Sequence, residues 1–205
     1  MFHSCLYRQL YMKSIAYFDR GKCWEKGIPL CKELAEFYET RLYDYSKLSH
    51  ILRMQASFYD HILTQLRPEP EYFRVGFYGQ GFPLFLRNRL FIYRGLEYER
   101  IGAFTQRLQT EFPAAQILTK NTPPGDAILT SESQHIQICN VKPVPEDHPV
   151  FDAALNFHEK IRSYYRVNDV RRFQLDRPVH KGPVDRDNEF KSLWIERTWL
   201  VTEHP

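Results

Sequence analysis

Apolar side chains recur at helical spacing from the N-terminus to Leu66, then shift to a two-residue alternation from Tyr72 onward. Tyr7, Tyr11, Ile15 and Phe18 share one face across residues 3 to 18, and Gly21 is placed to cap that helix. Trp24, Ile28, Cys31, Ala35, Tyr38 and Leu42 form a second stripe, with Gly27 and Pro29 in its first turns and Pro29 as an alternative start. Leu48, Ile51, Gln55, Phe58, Ile62 and Leu66 form a third, from Ser46 to Leu66, with Asp44 as its cap. Connections this short set neighbouring helices antiparallel, so residues 1–66 read as a three-helix array like those of helical repeats. Met12, Met54 and the aromatic stripe are then core.

Residues 67–71, Arg-Pro-Glu-Pro-Glu, end the last helix and form an extended link. Beyond them Phe73, Val75 and Phe77 alternate with Tyr72, Arg74 and Tyr78, the period of a half-buried strand. Gly79 and Gly81 break it, Pro83 opens a second strand, and Arg87-Asn88-Arg89 turns into a third at Leu90 to Tyr93. A helix carries Ile101, Phe104, Leu108 and Phe112. Residues 119–133 form a polar loop, a strand returns at His135 to Val141, residues 151–165 can be helical, and Val170 to Leu175 is a short strand. After a basic turn at Arg177 to Pro183, Leu193, Ile195, Trp199 and Val201 alternate with Trp194, Glu196, Thr198 and Thr202 in the most regular strand of the chain. Residues 72–205 are thus a mainly β lobe, and the fold class is α+β.

The chain has 205 residues, 43% hydrophobic and 15% aromatic, enough for a packed and interface-forming protein. Residues 1–66 carry 9 basic and 7 acidic side chains and the remainder 19 and 18, which is not the imbalance that binding a phosphate backbone requires. Nucleic acid is excluded as a partner on that ground. Cys5, Cys23, Cys31 and Cys139 make no metal-type spacing, so the expected compartment is reducing. There is no apolar run of membrane-spanning length. The expectation is a cytoplasmic protein without direct membrane insertion, any recruitment to a membrane coming from regions outside the chain.

Enzyme constellations are lacking. Gly76, Gly79 and Gly81 follow a strand but open no helix, so they are not a phosphate cradle, and they mark a bend that something approaches closely. His135, His158 and His180 have no ligand-spaced partner, Glu189 and Glu196 are not arranged as an acid/base pair, and Arg171, Arg172 and Lys181 are interspersed with Asp169, Asp176 and Asp185. No catalytic residue, metal site or cofactor is assigned. What remains is a protein-binding module, with Asn188, Glu189 and Phe190 as a polar rim beside an aromatic anchor.

Several motifs carry more than pattern. Tyr72 to Gly95 with Glu97-Tyr98-Glu99-Arg100, and Asn188-Glu189-Phe190 followed by Leu193-Trp194-Ile195-Glu196-Arg197-Thr198, resemble the second Dock homology region, the guanine-nucleotide exchange region of the Dock family. Tyr17 to Glu25, Leu30 to Glu36, Phe112-Pro113, Pro123 to Asp126 and Tyr164 to Asn168 agree, so the resemblance spans about residues 16 to 202. It implies an exchange factor for Rac-type small GTPases. A helical lobe, which dimerises in several members, is followed by a lobe of two packed antiparallel sheets that holds the GTPase near its first switch, and then by a helical lobe bearing a valine nucleotide sensor. In that scheme the chain is the end of the first lobe and most of the second. Stopping at Pro205, it reads as a docking fragment without the sensor lobe, with little exchange activity and an unpaired edge at its last strand.

Leu193 resembles the position that reads the choice between Rac and Cdc42, and an apolar anchor flanked by Glu189 and Glu196 suits burial against a partner. Gln80 and Phe82 on the glycine-rich bend join Asn188, Glu189, Phe190, Leu193 and Glu196 as candidate GTPase contacts. Pro124-Gly125-Asp126 resembles the subgroup with an N-terminal adaptor domain, and Phe190-Lys191-Ser192-Leu193 its sister subgroup. The alternative is a helical-repeat scaffold, a homodimer through residues 1–66 without direct GTPase contact.

Overall fold

A computed structural model describes residues 2–180 and 193–202. The chain divides into two compact units, Met1–Arg67 with His158–Ile161, and Pro68–Phe157 with Arg162–Pro205. The first holds α1 (Phe2–Arg20), α2 (Trp24–Phe37) and α3 (Tyr45–Thr64). Helix α1 closes with the Cys23 N–H donating to the Phe18 carbonyl at 2.8 Å and the Lys22 N–H to that of Asp19 at 3.0 Å. Lys22, at φ +53°, takes the left-handed position that the sequence offered to Gly21. Pro29 lies inside α2 and does not start it. Trp24 seeds the earlier turn, buried and donating from Nε1 to Asp19 Oδ1 at 2.8 Å. Asp44 caps α3 by accepting from the Lys47 N–H at 3.1 Å.

The helical stripes meet in one core, with Ile15, Trp24, Ile28, Cys31, Leu34, Ile51 and Phe58 at its centre and Met12 and Met54 at its margin. Burial pushes the Cys31 thiol up to about 11, so it behaves as a small hydrophobe. Gly27 sets how closely α2 and α3 approach, because a Cβ there would lie 2.8 Å from the Phe58 ring.

The second unit contains β1 (Tyr72–Tyr78), β2 (Arg89–Arg94), α4 (Ile101–Glu111), β3 (Gln116–Leu118), α5 (Asp126–Leu129), β4 (His135–Val144), β5 (Arg172–His180) and β6 (Leu193–Val201). It also holds most of α6 (Glu159–Val167), which the first unit shares at its N-terminal turn. The strand order is β2-β1-β4-β5-β6, antiparallel throughout, with β3 added parallel to β4. Strand β4 serves two strand groups: His135 to Val141 pairs with β1, and Lys142 to Val144 pairs with β5. On one face of β1 and β4, Phe73, Val75, Phe77, Ile136 and Ile138 pack under Phe104 and Leu108 of α4. On the other, Tyr72, Cys139 and Val141 pack against Phe173 and Leu175 of β5, with Leu200 of β6 at the margin. Helices followed by antiparallel β structure make the α+β class.

Several elements differ from the expectation. All seven residues of β1 are buried, because both of its faces are covered. Arg74 is tolerated there through Nη2, which donates to Gln137 Oε1 at 2.8 Å and Tyr78 Oη at 3.2 Å. Gln137 Nε2 in turn donates to the carbonyls of Lys120 and Thr122, at 2.6 and 2.9 Å. No strand opens at Pro83, whose carbonyl accepts from the Leu86 and Arg87 N–H groups in a tight turn. The helix expected over 151–165 starts only at Glu159, and Arg177 to His180 continue β5 where a turn was expected.

Two outcomes follow. Gly27→Ala gains about 1 kcal/mol of helix propensity but drives a methyl into the Phe58 ring, and is expected to lower unfolding free energy by about 1–3 kcal/mol in urea titrations. Glu99 accepts from Arg107 Nε and Nη2 at 2.8 and 2.9 Å and from the Leu96 N–H at 2.8 Å. The Arg107 hydrogen bonds hold its carboxyl below the ordinary 4.5 against the opposing effect of burial. The pair's stabilisation is therefore complete above pH 4.5 and lost as pH falls through the lowered value. Glu99→Gln should lower stability at pH 7 by about 1 kcal/mol and flatten its fall below pH 4.5, measured by urea unfolding across pH.

Candidate functional site

The β5–β6 register fixes where each candidate on the last strand points. Leu193 pairs with His180, Ile195 with Pro178, Arg197 with Asp176, Trp199 with Gln174 and Val201 with Arg172. These odd positions share one face, and Trp194, Glu196, Thr198 and Leu200 share the other, since side chains alternate along a strand. Leu200 and its partner Phe173 contribute to the lobe core, so at that end the even face is turned inward and the odd face outward, while from Leu193 to Trp199 both faces stand exposed. Leu193 lies on the outward face, 36% exposed, and Glu196 on the opposite one. Glu196 is already engaged, accepting from Arg177 Nε at 3.0 Å.

The outward face is apolar at both ends and polar in the middle. Ile195, Trp199 and Val201 are exposed beside Leu193, and Pro178 is exposed across from Ile195. Between them Arg197 Nε donates to Asp176 Oδ1 at 2.9 Å, and Gln174 Nε2 donates to Asp176 Oδ2 at 2.6 Å. The Arg197 hydrogen bond first, and that of Gln174 second, hold the Asp176 carboxyl below the usual carboxylate range. The ion pair is thus satisfied within the sheet, and the face asks a partner for shape and apolar surface more than for charge.

The glycine-rich bend is a separate feature of the same unit. What approaches it is the segment before β4: a Cβ on Gly79, whose φ is +97°, would lie 2.2 Å from the Ser133 carbonyl oxygen, and one on Gly81 2.8 Å from that of Glu132. The Gln80 N–H donates to the Ser131 carbonyl at 2.6 Å, and Arg87 Nη2 donates to the carbonyls of Gln80 and Phe82 at 2.8 and 3.2 Å. Gln80 is exposed on this pinned bend. Phe82 is not available to a partner: at 1% exposure it packs edge-on to Phe77 and Phe112 and anchors the bend from inside. Asn188, Glu189 and Phe190 lie outside the described residues.

Sequence reasoning passed over Leu84 and Phe85, which stand exposed beyond the Phe82 anchor. Their apolar run after Pro83 has neither helical nor strand period, the one signal that could have marked a presented loop. Among the described residues no group of three or more histidine, cysteine, aspartate or glutamate side chains is placed to hold a metal ion, and no helix is long and apolar enough to cross a membrane.

Comparison with known proteins adds a second line. Residues 1–64 match the family described as DHR-2, Lobe A, and residues 121–205 that described as DHR-2, Lobe B. The chain is 54% identical over 192 residues to Dedicator of cytokinesis protein 3 of Mus musculus, a match covering 94% of this chain and 9% of that protein. It is 50% identical over 191 residues to Dedicator of cytokinesis protein 4 of Homo sapiens, covering 93% of this chain and 10% of that protein. It is 28% identical over 193 residues to DOCK-like protein 1 of Saccharomyces cerevisiae, covering 91% and 10%. The chain therefore spans about a tenth of the length of the curated relatives it matches.

Proposed function

We propose that this chain, which belongs to the Dock family and carries lobe A and lobe B of its DHR-2 region, docks a Rac-type small GTPase through its β lobe. DHR-2 is a guanine-nucleotide exchange region, a regulator of GTPases. The observation that carries the reading is Leu193: the residue resembling the family's GTPase-reading position stands half-exposed on an outward strand face continuous with further apolar side chains. Gln80 on the pinned bend, and Asn188, Glu189 and Phe190, supply the polar and aromatic remainder of the contact.

Docking alone does little to nucleotide release. A partner shifts an equilibrium only by its difference in affinity for the two states, so a surface that holds the switch must discriminate nucleotide-free from loaded GTPase to promote exchange. The resemblance assigns that discrimination chiefly to a sensor in a third lobe, whereas the matched sequence is lobes A and B. These 205 residues acting alone are therefore a binder with weak exchange activity, working in the cytoplasm or at a membrane to which other regions recruit it.

A second reading rests on α3. Tyr45, Leu52, Tyr59 and Leu63 stand exposed at helical spacing, and Tyr45, Leu48, Leu52 and Ala56 line a shallow groove. Such a stripe suits pairing of two chains through the helical lobe, in keeping with a scaffold role.

Immobilised chain is expected to capture nucleotide-free Rac a few-fold better than nucleotide-loaded Rac, and by linkage to lower the affinity of Rac for that nucleotide by the same few-fold. Leu193→Asp should weaken capture by about 2 kcal/mol, roughly 30-fold. Equal capture of both forms, or none, sinks the docking reading. If α3 pairs two chains, Leu52→Asp converts a dimer to a monomer in light scattering with little change in thermal midpoint. A wild-type chain that scatters as a monomer at all concentrations removes the second reading.

A further inference from the structure

We infer that Thr122 is a phosphorylation site for a proline-directed serine/threonine kinase, and that its phosphate pairs with Arg74, the buried guanidinium beneath the loop that carries it. The inference stands apart from the docking reading and concerns the polar loop that lies over β1 and β4.

The acceptor is marked by sequence and by position. Thr122-Pro123 is the one Ser/Thr-Pro pair in the chain, Pro124 follows it, and Thr122 is exposed in the irregular segment between β3 and α5. A proline in the next position has no N–H to donate and biases the residue before it to extended backbone, which suits a kinase that reads an extended acceptor without that hydrogen bond. In the transfer, the bond between the γ-phosphorus of ATP and its bridging oxygen breaks and a bond from Thr122 Oγ1 to that phosphorus forms. The hydroxyl proton passes to the kinase's catalytic aspartate, and ADP leaves.

The receptor is a cation without an anion. Arg74 is 8% exposed, and its hydrogen-bond partners among the described residues are all uncharged: Nη2 donates to Gln137 Oε1 at 2.8 Å and Tyr78 Oη at 3.2 Å, and Nη1 to the Cys139 sulfur at 3.9 Å. Its buried Nε has no partner. Strands β1, β2 and β4 and residues 112–125 contain no aspartate or glutamate, so the elements around Arg74 offer it no carboxylate. A buried charge left to neutral groups is costly. The Thr122 loop lies one side chain away, because Gln137 Nε2 donates to the Thr122 carbonyl at 2.9 Å while its Oε1 accepts from Arg74. A single amide thus separates the Thr122 backbone from the guanidinium. Asn121 holds the same loop down, its Oδ1 accepting from the Cys139 thiol at 3.3 Å. A phosphate on Thr122 brings nearly two negative charges and three acceptor oxygens to this place. It supplies the missing counter-charge and ties the loop to β1 and β4 more tightly than the neutral network does.

The wild-type chain is incubated with Mg-ATP and, separately, a mitogen-activated and a cyclin-dependent protein kinase, and the phosphate is located by fragmentation mass spectrometry. Expected is transfer chiefly to Thr122, slowed about tenfold or more in Pro123→Ala. Phosphorus NMR titration of the phosphorylated chain then reads the environment of the group. An unpaired phosphothreonine has its second pKa near ~6. In the folded chain it should fall to about 5 or below, as an opposite charge close by requires, and return to about 6 in urea. The lowering should persist in Lys120→Ala, which removes the exposed lysine two residues away, and amides of residues 119–125 should exchange about threefold more slowly after phosphorylation. Arg74→Gln should abolish both effects if its thermal midpoint shows it folded. Where it does not fold, the unsubstituted and Lys120→Ala chains decide. Transfer by neither kinase, or chiefly to another position, overturns the site. A second pKa equal in the folded and urea-treated chains, its return to about 6 in Lys120→Ala or its persistence in folded Arg74→Gln, or unchanged amide exchange overturns the pairing with Arg74.

Discussion

Burial of β1 on both faces is the constraint on which the β lobe depends. Seven consecutive residues, Tyr72 to Tyr78, are withdrawn from water between β2 and β4, with α4 over one face and β5 over part of the other. A strand so placed must supply apolar side chains on one side and find partners for any polar group on the other. Phe73, Val75 and Phe77 meet the first demand. Arg74 meets the second only in part, Nη2 donating to Gln137 and Tyr78 while its buried Nε has no partner, and Gln137 passes the interaction on to the carbonyls of Lys120 and Thr122. The polar loop before β4 is thereby tied to the strand that β4 flanks, and the glycine-rich bend is closed against the same segment at Ser131 and Ser133. One buried strand thus organises the ground from which β4, and through it β5 and β6, are built.

The helical unit was the more legible part of the sequence, because a period of 3.6 survives local irregularity. The stripes of α1, α2 and α3 reappear as the core except at Tyr7, Leu42 and Leu66, which stand exposed, and Asp44 caps where its side chain suggested. What the periodicity could not tell was local closure, such as Lys22 taking the left-handed position in place of its glycine neighbour. In the β lobe, β1, β4 and β6 were readable from alternation. Strand β3 was not, since three residues carry no period and their pairing with β4 is a long-range event. The turn expected near Pro178 is strand instead. Pairing of β5 with β4 ends at Gln174, so a proline four residues on removes no ladder hydrogen bond on that side.

For the candidate contacts, parity was available and exposure was not. That Leu193 and Glu196 fall on opposite faces follows from their being three apart in a strand, and the register bears this out. That the odd face is the outward one depended on Phe173 and Leu200 joining the core, a tertiary fact. Phe82 shows the same limit from the other side. On a bend, nothing in the sequence separates an aromatic that is presented from one that is swallowed, and Phe82 is swallowed while Leu84 and Phe85 are presented.

The β5–β6 ribbon has a narrow root. Three residue pairs, Lys142–Gln174, Pro143–Phe173 and Val144–Arg172, join it to β4, while β6 adheres to β5 along nine. Mechanically this is a cantilever: a load applied near Leu193, at the end of the described pairing away from β4, acts with a long lever arm on the Lys142 to Val144 root, where Pro143 contributes no donor. Beyond that splice the ribbon is anchored by the packing of Phe173, Leu175 and Leu200 on Tyr72 and Val141, so the leverage falls on a short hydrogen-bonded joint backed by an apolar pad.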